Sequence, residues 1–108
     1  MWLRANQMDR ALTLYHAGGA LRPRDAGINV GLGYCAGQSG NSVEEIRRMR
    51  IALQDDPTKI YAHTRLGYAY GKLGQWSAAR DEFAIWLKAE PKSEEAMHAL
   101  EEAQKHLN

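Results

Sequence analysis

The chain has 108 residues, 44% of them hydrophobic and 25% charged, which is the balance of one small folded domain and not of a disordered chain or a membrane-embedded one. Fourteen basic residues against thirteen acidic ones give no electrostatic bias toward nucleic acid, and a single cysteine, Cys35, leaves no internal disulfide to form. No apolar run approaches the roughly 18 residues of a membrane span, so membrane insertion is not expected; the polar residues after Met1-Trp2-Leu3-Arg4 give no secretory signal, which makes the cytoplasm the default location.

In chain order, residues 8–21 place Met8, Ala11, Leu12 and Tyr15 at spacings of three and four, the mark of one apolar helix face. Only residues 1–5 precede this segment, too few to nucleate a partner helix alone. Its apolar face is therefore expected to be partly uncovered, near Trp2 and Leu3. Such a patch marks either a self-association edge, formed by Trp2, Leu3, Met8, Leu12 and Tyr15 in a homodimer, or a chain cut from a longer one. Pro23-Arg24-Asp25 reads as a turn with Asp25 as N-cap, opening a helix over 26–39. That helix contains Gly27, Gly31, Gly33 and Gly37, each costing about 0.8–1 kcal/mol relative to alanine, so packing must hold it and it should be the most mobile internal helix. Gly33 suits a close helix approach. The other three are tolerated drift or a groove floor kept bare for a ligand backbone.

Gly40-Asn41 reads as the next turn and Ser42-Val43-Glu44-Glu45 as a capping box, with Ser42 as N-cap and Glu45 reaching back. The helix over 42–55 points Val43, Ile46, Met49 and Leu53 inward. Arg47, Arg48 and Arg50 lie on its other sides, either as a patch for an acidic partner or, with no aromatic interleaved, as an ordinary solvated surface. Asp55 and Asp56 stand at its C-terminus, where the helix dipole disfavours them. Residues 60–73 put Ala62, Leu66, Ala69 and Leu73 on one face, and 76–90 return with Ala79, Phe83, Trp86 and Leu87 inward. Trp86 needs room, which Ala96, Ala99 and Ala103 of the last helix, 94–107, can provide. That helix carries Glu94, Glu95, Glu101 and Glu102 opposite Ala96, Leu100, Ala103 and Leu107, the polar outer cap that a stacked repeat requires.

A period of 34 residues runs through these elements. Pro91 steps back to Pro57 and Pro23, Leu66-Gly67 to Leu32-Gly33, Gly74 to Gly40, and Phe83 to Met49 and Tyr15. Leu66-Gly67, Tyr70, Gly74, Ala79, Phe83 and Pro91, at these offsets, resemble the tetratricopeptide repeat, a helix-turn-helix unit of 34 residues. The resemblance covers essentially the whole chain. It implies an all-α fold, a right-handed α-solenoid of antiparallel helix pairs, in one domain made of a partial repeat (1–25), two repeats (26–59 and 60–93) and a C-terminal capping helix (94–108). Position 86 departs from the family, which favours a small residue there.

No catalytic chemistry stands out. His98 and His106 are two turns apart, about 12 Å at 1.5 Å per residue, too far to share a metal, and no histidine is spaced to activate Cys35, which reads as a buried structural thiol. There is no phosphate loop, HExxH or paired-cysteine motif, so no enzyme, metal or cofactor is expected. The resemblance implies instead a non-catalytic adaptor whose first helices line a concave groove, here with Gly27, Val30, Tyr34 and Gly37, then Tyr61, Thr64, Tyr68 and Gly71, then Glu95, His98, Glu102 and Lys105. The expected contact set is Val30, Tyr34, Tyr61, Thr64, Arg65, Tyr68 and His98, suited to a peptide or helix of a protein partner; packing against neighbouring helices is the other role open to the tyrosines. Of the Lys and Asn clamp by which the family holds a C-terminal carboxylate, only Arg65 occupies a matching position, so that clamp is not expected. A holding chaperone for a secretion substrate and a self-assembly module joined at the N-terminal edge are the alternatives.

Overall fold

The structure, a computed structural model, describes residues 25–108. These form five α-helices: α1 (Ala26–Gln38), α2 (Ser42–Asp55), α3 (Ile60–Lys72), α4 (Trp76–Ala89) and α5 (Glu94–Leu107). The five helices expected within these residues are present, with ends within one residue of those read from the sequence, and the helix expected over 8–21 lies outside the described residues. Each helix packs on its chain neighbours, and α1 also touches α3, so the helices stack in sequence order. The candidate self-association edge of Trp2, Leu3, Met8, Leu12 and Tyr15 lies outside the described residues.

The turns repeat as faithfully as the helices. Gly40 and Gly74 end α1 and α3 with φ of 83° and 74°, a conformation in which a Cβ is strained. The following N–H closes back on the helix in the same way at both, Asn41 to the Ala36 carbonyl and Gln75 to the Tyr70 carbonyl, each at 2.9 Å. Two glycines in one register thus build the same helix reversal twice.

The core is one cluster in which Met49, Leu66, Phe83 and Trp86 meet the small residues Ala62, Ala69, Ala79, Ala96, Ala99 and Ala103. Trp86 is buried among them as its size requires, and its indole N–H donates to Glu90 Oε1 at 3.1 Å. Gly67 makes room for Phe83, since a Cβ there would clash with the ring's Cε1. Gly33 does the same service for Met49 and Arg48, with a Cβ only 2.9 Å from Met49 Cε.

Several local expectations are corrected. Asn41, not Ser42, caps α2: its side chain accepts the Glu44 N–H at 3.1 Å, and Ser42 is the first helical residue. Glu45, freed from capping, turns into the protein. Gly37 has a packing reason after all, since a Cβ there would sit 2.5 Å from the Glu45 carboxylate. Asp55 is no liability at its helix end, because its Oδ2 accepts the Ala26 N–H at 2.9 Å and so joins Asp25, which accepts from Ile28, at the positive end of α1. Val43, Leu73 and Leu107 are 66%, 42% and 42% exposed instead of inward. All three stand at helix ends, where the apolar stripe runs past the neighbour that would cover it.

Candidate functional site: the α3 face

Arg65 organises this face. It projects from the middle of α3 and donates through Nε to Glu45 Oε2 of α2 at 2.8 Å, with an Nη in ion-pair contact 2.8 Å from the same oxygen. Glu45 is fully buried, and its second oxygen, Oε1, has no hydrogen-bond partner among the described residues. A buried carboxylate holds its counter-ion firmly, because separating the pair would strand a charge away from water. The guanidinium is thereby fixed 5.7 Å over the Tyr34 ring of α1, a cation–π distance. Three helices are tied at one point.

Tyr61 and Tyr68 flank Arg65 on α3, four residues before it and three after, and are 47% and 38% exposed. Burial of part of each ring lifts both phenols above the usual tyrosine value, with the Glu95 carboxylate adding to the rise at Tyr68. Both hydroxyls therefore stay protonated at neutral pH, able to donate and accept. Tyr68 also packs edge-on to Phe83 and Trp86, with centroids 5.2 Å and 6.1 Å away. The ring thus packs on the core, the second role open to it, while the residue stays partly exposed.

Beside Tyr68, a cleft of about 500 Å³ opens between α3 and α5 with α4 as its floor. Gly67 and Gly71 leave the α3 wall bare, so the rings of Phe83 and Trp76 form the bottom. Trp76 is held in place by His106, stacked on it at 3.9 Å with planes 3° apart, and His106 in turn reaches Glu102 at 3.2 Å. Arg65, Lys72 and Glu102 place charge around this apolar pit. Such a cleft takes a bulky apolar group with polar neighbours.

The remaining expected groove residues are less involved. Thr64 is half-buried and turns its hydroxyl back to the Ile60 carbonyl at 3.2 Å, Val30 packs on the core, and His98 is exposed but not part of the cleft wall. The sequence reading missed Lys72, Trp76, Phe83 and Ala99 as walls of the cleft, and Glu45 as the anchor of Arg65. The repeat register held a signal for Glu45, which stands where the next unit has the small Ala79. Cys35 is buried and burial pushes its thiol up, which fits a structural thiol. Among the described residues no group of three potential metal ligands stands together, and no helix is long and apolar enough to cross a membrane.

No family model matches the chain, and no curated protein matches it. Solved structures do. The first TPR domain of Spaghetti (RPAP3), bound to the HSP90 peptide SRMEEVD, superposes with a TM-score of 0.85 at 19% identity, over 94% of this chain and 83% of that one. The fold is a tetratricopeptide-repeat solenoid. A MamA mutant gives a TM-score of 0.82 at 22% identity, over 92% of this chain and 58% of that one. At these identities the likeness is one of tetratricopeptide-repeat architecture.

Proposed function

We propose that the protein is a non-catalytic interaction module that binds a peptide or helix of another protein along the face formed by Tyr34, Tyr61, Arg65 and Tyr68, with an apolar side chain seated in the cleft beside Tyr68. The observation that carries this reading is the cleft itself: about 500 Å³, floored by aromatic rings and left open by Gly67 and Gly71. Partly exposed tyrosines beside it offer contact area and a hydrogen-bonding tip at small entropic cost. A tetratricopeptide-repeat neighbour that carries a bound peptide supports the same use of the architecture. The ligand chemistry differs from a clamp for a terminal carboxylate, because Arg65 is already paired with the buried Glu45 carboxylate. It acts as a fixed, stacked rim.

The test is capture of partners from the source lysate by wild type and by a Tyr61→Ala, Tyr68→Ala double variant whose helicity is checked by circular dichroism. Partners held by wild type and lost by the folded variant are the expected result. Partners held equally by both would move binding away from this face.

A further inference from the structure

Arg50 differs from the other arginines of the described residues. Arg47 and Arg48 share Glu44, Arg65 has Glu45, and Arg80 lies beside Asp81. Among the described residues Arg50 reaches no carboxylate; it donates to the Tyr70 hydroxyl and lies 5.5 Å over the same ring. Tyr70 is buried, so the guanidinium rests on a fixed platform while most of its donors remain free for a second acceptor.

The surroundings are open and combine apolar side chains with Gln54 and Gln75. A cleft of about 550 Å³ lies beside Arg50 where α2 meets the α3–α4 turn, with Val43, Ile51 and Leu73 among its walls and Arg47 on its rim. Val43 and Leu73 are two of the apolar side chains that the helix pattern assigned to the core and the structure leaves exposed. Among the described residues no acidic one lines this cleft, and it shares no lining residue with the one beside Tyr68.

We infer that this second cleft docks an acidic, apolar segment of a partner protein, with a leucine or isoleucine side chain between Val43 and Leu73 and an aspartate or glutamate on Arg50. Charge complementarity selects the occupant. Arg50 is exposed, so a partner carboxylate can reach it, and a guanidinium held by Tyr70 forms a charge-assisted bond with a smaller ordering cost than a free side chain does. Binding here is independent of binding at Tyr68.

The test is a titration of the full-length, ¹⁵N-labelled protein with the blocked peptide acetyl-LEELLEELLE-amide, against the same peptide with Lys in place of every Glu. Saturable shifts centred on Val43, Ile51, Leu73 and the Arg50 side chain are expected with the acidic peptide only. Arg50→Gln should weaken binding by about tenfold, the loss of one hydrogen bond to a charged group. Val43→Ser, a change at an exposed position, should weaken it as well, and Tyr61→Ala with Tyr68→Ala should leave it unchanged. Absence of saturable shifts at millimolar peptide, equal binding of the basic peptide, shifts centred elsewhere, or full affinity in both folded Arg50→Gln and Val43→Ser would overturn the inference.

Discussion

Two interfaces in this solenoid share a backbone and differ in chemistry. Where α2 meets α3, Glu45 and Arg65 form a buried ion pair over Ala52; one repeat later, where α4 meets α5, the same register holds Ala79 and Ala99 over Trp86. The bulk has changed places, from the charged pair in one interface to the indole in the other. Neighbouring positions follow suit: Ala36 and Ser42 beside Glu45 become Tyr70 and Trp76 beside Ala79. A repeat scaffold thus keeps its period while the kind of force in each layer is free to vary. The polar layer fixes a guanidinium on the α3 face. The apolar layer holds the last helix in place.

The strongest way to break the comparison is at Trp86. Trp86→Ala should cost about 3–5 kcal/mol in urea unfolding, because three facing alanines cannot collapse into the cavity, and α5 should lose hydrogen-exchange protection before α1 and α2 do. Equal protection of α5 in variant and wild type would deny that the indole holds the last helix. At the polar layer, Arg65→Leu should cost about 3 kcal/mol by leaving Glu45 buried without its counter-ion. The double change Glu45→Met, Arg65→Leu should recover most of that loss while abolishing capture by the α3 face. Recovery of stability with binding intact would show that the pair has no part in the site.

Glycine substitutions sharpen the comparison at smaller cost. Gly67→Ala should lose about 1–3 kcal/mol by driving a methyl into Phe83, and Gly37→Ala a similar amount by displacing the Glu45 carboxylate. Gly27→Ala, whose Cβ meets only Asp25 Oδ1 at 3.4 Å, should instead gain up to about 1 kcal/mol of helix propensity. The smallest effect belongs to Glu44, whose carboxyl is held below its ordinary value first by the hydrogen bond from Arg47 and then by Arg48. A lowered folded value means the contribution is complete above the unfolded pKa and fades as pH falls through the folded one. Glu44→Gln should therefore cost less than about 1 kcal/mol at neutral pH, and the difference from wild type should vanish on acidification.

Helices and turns were legible because the signals that define them are local or periodic. Gly40 and Gly74, the prolines at 34-residue steps and the apolar stripes located every described element to within a residue at each end. The errors arose where two local rules competed or where a helix ended. Ser42-Val43-Glu44-Glu45 satisfies the capping-box pattern, but Asn41 one residue earlier is an equally good cap, and its use sends Glu45 inward. Val43 and Leu73 match the stripe of their helices, yet periodicity says nothing about where the covering neighbour stops. The tyrosines of the α3 face were found from the repeat register. Their cleft depends on rings from α4 that no spacing within α3 could announce.

The most direct test of the central claim, that a partner lies on the α3 face, is photo-cross-linking in the source lysate with benzoylphenylalanine placed at Tyr68 or, as a control, at the exposed Lys88 of α4. The account predicts a discrete adduct at position 68, suppressed by Tyr61→Ala, and none at position 88. Adducts at 88 and none at 68, from a folded protein, would contradict it.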